Sequence, residues 1–184
     1  VPVVKKNTFR APASILGQAK RLLSQWGARK ASTIIAASEM TRRMYIRELG
    51  VRDSMIVVQP HLSVDISRFQ PRERLGGPRP LRIGFVGKIG AVKGVPDLVT
   101  AFRQVLRRTG ISVELWLAGG IPDPAVGLEI SCAEHVHHVG VINNDDLHLF
   151  MSDIDVFVMP ARILPDHQEH DGRAVLEAMS SGIP

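Results

Sequence analysis

Apolar residues in the second half of this chain fall into short dense runs separated by segments with helical spacing. The runs at 81–87, 112–118, 136–140 and 155–159 are rich in Val, Ile, Leu and Phe and too short for helices, so each predicts a strand buried on both faces. Between and after them, 95–108, 144–151 and 173–181 carry apolar residues three and four positions apart and predict helices. A further short helix is expected between Gly120 and Glu134, where proline and glycine blur its ends. Strands that alternate with helices need crossover connections, so the fold class is α/β with a doubly wound parallel, Rossmann-like sheet.

The first eighty residues read differently. A helix after Ile15, a short strand at Thr33–Ala37 and a helix at Glu39–Leu49 capped by Ser38 look like the tail of one α/β domain, followed by a strand-like Met55–Val58. A stretch rich in proline, arginine and glycine then leads to Pro80. The expected division is 1–60 as the remnant of one domain, 61–80 as an interdomain linker and 81–184 as a second domain.

Composition bounds the function. With 184 residues of which 45% are apolar, the chain can bury a full core. The net charge is +5, with much of the excess in the first eighty residues. Gln18–Lys30 places Leu22, Leu23 and Trp26 among basic residues, which suits either an anionic surface or a helix that packs on a sheet with its basic face solvated. The second reading is preferred, with peripheral membrane contact kept as the alternative. Few aromatic residues, 5% in all, argue against a base-stacking platform, so no nucleic-acid partner is expected. No run of 18 apolar residues predicts a membrane span. The single Cys132 cannot form an internal disulfide, which suits a reducing cytosol. The expected localisation is cytoplasmic, or peripheral on the inner face of the membrane.

Two segments carry candidate chemistry. In Glu169-His-Asp-Gly-Arg-Ala-Val-Leu-Glu, Gly172 stands at the mouth of a helix that begins near Arg173. Glu169 precedes that helix and Glu177 lies one turn inside it, so both can face a ligand whose anionic part rests on the free N–H groups of the helix. Such a site suits a phosphorylated, hydroxyl-rich molecule; the alternative is a solvated loop glutamate and a Glu177 on the exposed helix face. In Gly87-Lys-Ile-Gly-Ala-Val-Lys-Gly, Lys88 and Lys93 lie in the loop after a parallel strand and can converge on a diphosphate, or be merely solvated. The loop has neither the Gly-Lys-Ser/Thr ending of a Walker loop nor the three spaced glycines of a dinucleotide fingerprint, which argues against a dehydrogenase. His135, His137 and His138, and the group Asp166, His167, Glu169, His170 and Asp171, offer ligand types but no standard metal spacing, so no metal is expected.

The chain resembles the retaining glycosyltransferases of family four, which have the GT-B fold and use nucleotide sugars. The matching stretches come in the family's order: Ile34-Ile-Ala-Ala-Ser-Glu, the segment from Val57 to Phe69, Gly84-Phe-Val-Gly-Lys with Lys93-Gly94, Leu115-Trp-Leu-Ala-Gly-Gly, Val139-Gly-Val, Asp155-Val-Phe-Val-Met-Pro and Glu169 to Pro184. The resemblance implies a GT-B protein of which 81–184 is an incomplete donor-binding domain and 1–60 the end of an acceptor domain, truncated at both ends and inactive alone. It implies transfer of a sugar from a nucleoside diphosphate to a sugar or lipid-linked acceptor with retention, in cell-surface polysaccharide or glycolipid synthesis, with no cofactor beyond the donor. Lys88 and Lys93 would bind the diphosphate, although the family usually has arginine where Lys88 stands. Gly87, Gly172 and Arg173 would border it, Glu177 would hold the ribose, and Glu169 would hold the donor sugar at the reacting carbon. Asp171 is the alternative to Glu169, because His170 replaces the family's glycine. The loop with His138 and Val141 would line the nucleobase pocket, a solvated or core role for His138 being the other reading. Two glutamates about 5 Å apart would also suit a hydrolase, although a hydrolase leaves the lysines unexplained. The remaining alternative is a non-catalytic nucleotide-sugar binding module.

Overall fold

The computed structural model describes residues 15–60, 63–71, 78–162 and 172–184. The chain divides into two compact units, one reaching His61 and the other formed by Leu62–Arg162 with Gly172–Pro184.

In the first unit, α1 (Ile15–Lys30), β1 (Ile34–Ala36), α2 (Glu39–Leu49) and β2 (Ile56–Val58) follow the expected order. The two strands pair in parallel, with Ile34 opposite Ile56. Ser38 caps α2 by accepting from the Thr41 N–H at 3.1 Å, and Gly50 ends it in the left-handed region. Alternation along the strands buries Ala36 and Ile56 with Val51, and leaves Ile35 and Val57 exposed. The face of α1 that packs is not the apolar one expected. Ala28 joins the small core and Gln25 donates to the Glu48 carbonyl at 2.9 Å, whereas Leu22, Leu23 and Trp26 are exposed at 66%, 68% and 65%. Residues three apart share one helix face, so seating Gln25 and Ala28 turns Trp26 outward.

The second unit holds a four-stranded parallel sheet in the order β5-β4-β3-β6, from β3 (Leu81–Val86), β4 (Val113–Ala118), β5 (Val136–Gly140) and β6 (Val156–Phe157). Alternate strand residues feed two cores. Phe85, Val113, Leu115 and Leu117 pack under α3 (Val95–Thr109) and α4 (Pro124–Ser131), with Val99, Phe102 and Ile130. Ala118 and Phe157 face α5 (Leu147–Asp153) and α6 (Arg173–Ser180), with Met151, Ile154 and Ala178. Burying one such Phe or Leu contributes about 1.5–3 kcal/mol. Gly84 is where this packing is tightest, since a Cβ there would lie 2.3 Å from Ile154 Cδ1. Near the strand starts, Asp155 accepts from both Arg79 nitrogens and from the Arg82 N–H, each at 2.8 Å. Beside it Trp116 donates to Glu114 at 2.9 Å, with Arg82 4.7 Å over its ring and His137 stacked at 5.0 Å.

Residues 63–71, expected within a linker, belong to this unit. Phe69 is 4% exposed in the second core, and Ser180 Oγ donates to its carbonyl at 2.5 Å. The strand order fixes the position of a site: from β3 the chain moves outward to β4 and β5 over one face, then returns over the other to β6 on the opposite side of β3. The carboxyl ends of β3 and β6 therefore flank a topological switch point, where open α/β sheets bind ligands.

Candidate functional site

Three glycines end three neighbouring strands. Gly87 after β3, Gly119 after β4 and Gly140 in β5 have φ of 145°, 139° and 79°. Gly119 requires its lack of side chain, because a Cβ would stand 1.9 Å from the Gly87 carbonyl oxygen. The backbones are joined there: Gly87 N–H donates to the Ala118 carbonyl and Ile89 N–H to the Gly120 carbonyl, both at 2.9 Å, and Gly119 N–H to the Gly140 carbonyl at 2.7 Å. An open cavity of about 390 Å³ lies beside this junction, lined by Lys88, Gly120, Ile121 and Pro122. Lys88 is exposed, and Val141, after β5, is 77% exposed.

Lys93 closes a 3₁₀ turn, half-buried and engaged, just before Gly94 opens α3. Gly94 has φ 70°, and a Cβ on it would meet the Pro160 carbonyl oxygen at 1.9 Å, so the loop after β3 and the segment after β6 lie in backbone contact. Arg162 fastens them, its N–H donating to the Val92 carbonyl at 3.2 Å and its guanidinium to both Asp97 oxygens at 2.6 and 2.5 Å. That fork holds the Asp97 carboxyl below the usual carboxylate range.

α6 returns the chain to β6, where the Phe157 N–H donates to the Pro184 carbonyl at 2.8 Å, so its first turn lies at the carboxyl edge of the sheet. Gly172 is its N-cap residue, and among the described residues no side chain caps its first N–H groups. Arg173 projects there, with its side chain 58% exposed. Glu177 is on the buried face of the helix with Ala174 and Ala178 and is 5% exposed, so the reading that placed it in solvent does not hold. Among the described residues no hydrogen bond reaches its carboxylate, and Arg173 approaches only to 3.9 Å. Burial pushes the Glu177 carboxyl above its ordinary pKa, against the opposing charges of Arg173 and Arg68. Arg68, from the segment before β3, donates to the Asn144 carbonyl at 2.7 Å and so ties the loop after β5 into the same neighbourhood.

The expected site residues Gly87, Lys88, Lys93, Gly172, Arg173, Glu177 and Val141 thus all lie at or beyond the carboxyl ends of the strands. Glu169 and its alternative Asp171 lie outside the described residues, as does the Asp166–Asp171 cluster. The three histidines go separate ways: His135 takes the left-handed φ of 58°, His137 stacks on Trp116, and His138 Nε2 meets the Gly119 carbonyl at 2.8 Å. Among the described residues no group of three or more His, Cys, Asp or Glu is placed to hold a metal ion. Sequence reasoning gave no role to Gly119, Gly120, Ile121 or Pro122, although the Gly-Gly pair at the end of an apolar run was a usable signal for a strand ending at a ligand.

Comparison with known proteins agrees with this geometry. The family described as "Glycosyl transferases group 1" matches residues 80–184. The 2-deoxystreptamine glucosyltransferase of Streptomyces kanamyceticus is 30% identical over 177 residues, 88% of this chain and 44% of that protein. The GDP-mannose-dependent alpha-(1-6)-phosphatidylinositol monomannoside mannosyltransferase of Mycobacterium tuberculosis is 30% identical over 163 residues, 80% of this chain and 41% of that protein. The chain therefore spans less than half the length of both relatives. A solved structure of a TarM mutant from S. aureus, in complex with UDP among other ligands, superposes with a TM-score of 0.64 at 16% identity, covering 94% of this chain and 33% of that one. This likeness shows the fold, which is of the GT-B type. On the match across residues 80–184 and the identity to the two relatives, the chain belongs to the group 1 glycosyltransferases.

Proposed function

We propose that this chain binds the donor of a retaining glycosyltransferase, which moves a sugar from a nucleoside diphosphate to the hydroxyl of a sugar or lipid-linked acceptor in cell-surface polysaccharide or glycolipid synthesis. The observation that carries the reading is Glu177: a residue only 5% exposed, whose carboxylate has no hydrogen-bond donor among the described residues, on the helix that starts at the switch point. A buried carboxylate of this kind is unfavourable until a ligand supplies donors, and a ribose offers two adjacent hydroxyls. The diphosphate then rests on the first N–H groups of the helix after Gly172, with Lys88, Lys93 and Arg173 supplying cations. Negative charge grows on that diphosphate as the glycosidic bond breaks, so the same groups stabilise the transition state.

Glu169 holds the donor sugar near its reacting carbon, Asp171 being the residue that would replace it. The leaving phosphate takes the acceptor proton, so no protein carboxylate serves as nucleophile and no metal is called for. The base lies by Val141. The reaction takes place in the cytoplasm or on the inner membrane face, and among the described residues no helix is long and apolar enough to cross a membrane. The two relatives are named for glucosyl and GDP-mannose-dependent mannosyl transfer, which supports a hexosyl donor but leaves the base to experiment. Calorimetric titration of the chain with UDP, GDP and ADP tests the reading. Binding of one of them in preference to the others is expected, and binding of none would refute it. With nucleotide sugars and acceptors supplied, transfer to water as efficient as transfer to a hydroxyl would mark a hydrolase, and binding without turnover a non-catalytic module.

A further inference from the structure

We propose that His138 is a positioning residue for the diphosphate-binding loop, acting through the carbonyl of Gly119 on the placement of Lys88. The inference rests on reading the cavity beside Lys88 as part of the donor site.

Lys88 is flanked on both sides by main-chain hydrogen bonds to one turn. Gly87 N–H is held by the Ala118 carbonyl and Ile89 N–H by the Gly120 carbonyl, each at 2.9 Å. The position of the 118–120 turn therefore sets the direction in which Lys88 leaves the backbone. A carbonyl contact at Gly119 that would be 1.9 Å from any Cβ leaves the two strand ends no play in that direction. What holds the turn on its other side is β5. Gly119 N–H donates to the Gly140 carbonyl at 2.7 Å, and Gly119 O receives His138 Nε2 at 2.8 Å, so both polar groups of Gly119 are tied to the same strand.

A side chain does this work because the ladder is interrupted at that point. Leu117 stands opposite His138 but Ala118 stands opposite Gly140, so Val139 is an extra residue on β5. Such a bulge removes the regular sequence of main-chain donors and re-aims its neighbours. The imidazole supplies the donor in their place. A carbonyl oxygen can only accept, so Nε2 carries the proton and the neutral ring is fixed in that tautomer, with Nδ1 unprotonated. His138 is exposed, and one exposed hydrogen bond of this kind corresponds to roughly three- to tenfold in an equilibrium constant.

The test compares His138→Phe, which keeps a flat β-favouring ring but has no donor, with His138→Gln, whose amide can reach the same carbonyl. Each chain is titrated with whichever of UDP, GDP and ADP the unaltered chain binds, and with inorganic pyrophosphate as a probe that lacks a base. His138→Phe is expected to weaken both ligands three- to tenfold, to speed amide exchange at Ile89 and to leave Tm nearly unchanged. His138→Gln should recover most of the affinity. The nitrogen chemical shifts of the unaltered imidazole should report a protonated Nε2 and a bare Nδ1. Affinity unchanged in His138→Phe would overturn the role, as would a fall in Tm with no recovery by glutamine, which marks a merely structural residue. Failure of the unaltered chain to bind any nucleoside diphosphate would instead refute the donor reading and the role of His138 with it.

Discussion

Replacing Glu177 with glutamine should raise stability and weaken ligand binding at once. Glu177 is 5% exposed as a residue, its carboxylate accepts no hydrogen bond from the described residues, and its nearest ion-pair partner among them, Arg173, stands at 3.9 Å with a side chain that is itself 58% exposed. Its folded-state pKa lies above the unfolded one, with burial as the leading cause. The folded state therefore holds the Glu177 proton more firmly than the unfolded state. Stability associated with that proton is present at low pH and is lost as pH rises from the unfolded pKa through the folded one. Above that window the buried charge weighs against folding, and the neutral amide relieves it. After allowing for the lost attraction to Arg173, the gain at pH 7 should be about 1 kcal/mol, or roughly 2–4 °C in Tm for a chain of this size. At a pH below both pKa values the glutamate is itself neutral, and the two proteins should melt together. A hydrogen bond to a charged group contributes about 1.5–3 kcal/mol, so nucleoside-diphosphate affinity should fall about 10- to 150-fold. Scanning calorimetry at acidic and neutral pH with calorimetric titration at pH 7 measures both effects. A glutamine variant less stable than the parent at pH 7 would show that the carboxylate is well satisfied and that a ligand is not what it awaits.

Three further outcomes follow from the geometry. Lys88→Ala should weaken nucleoside-diphosphate binding by about 1.5–3 kcal/mol with an unaltered circular dichroism spectrum, since the side chain is exposed; unchanged affinity would remove it from the site. Gly94→Ala should lower stability by at least about 2 kcal/mol in thermal melts, because it adds left-handed strain to a 1.9 Å clash with the Pro160 carbonyl, and a Tm equal to that of the parent would contradict this contact. Gly84→Ala should cost about 1–3 kcal/mol through the 2.3 Å contact with Ile154 Cδ1, and adding Ile154→Val, which deletes that atom, should destabilise by less than the sum of the single changes; strict additivity would show that the two sites do not touch.

The strands and helices of the second unit were readable because both of its cores draw on alternation along the same strands, so local pattern and tertiary demand coincide. α6 shows the same agreement: Ala174, Glu177 and Ala178 lie three and four apart, and a helix that buries both alanines must bury the glutamate as well. α1 shows where composition misleads. Its largest apolar residues invited packing, yet the small Ala28 and the hydrogen-bonding Gln25 define the face that packs on α2. The segment before β3 read as a linker from its prolines and arginines, while the two apolar residues that anchor it, Val64 and Phe69, are too few to form a periodic signal. No pattern could reveal the extra residue at Val139, since a bulge is a property of two strands in register. The role proposed for His138 was therefore out of reach of sequence reasoning, whereas that proposed for Glu177 was only partly so.

The stack around Trp116 gives the protein a built-in optical label. The chain has two tryptophans, Trp26 in the first unit and Trp116 in the second. Trp26, at 65% exposure, should emit at long wavelength and respond to soluble quenchers. Trp116 lies under the Arg82 guanidinium at 4.7 Å and against the His137 ring at 5.0 Å, so its emission should be blue-shifted and dimmer. Heating or denaturant that opens the second unit would release this quenching and brighten the signal, while loss of the first unit would change a fluorophore that is already wet. One emission spectrum followed through a melt thus distinguishes which half of the chain has come apart, with no dye attached and no residue replaced.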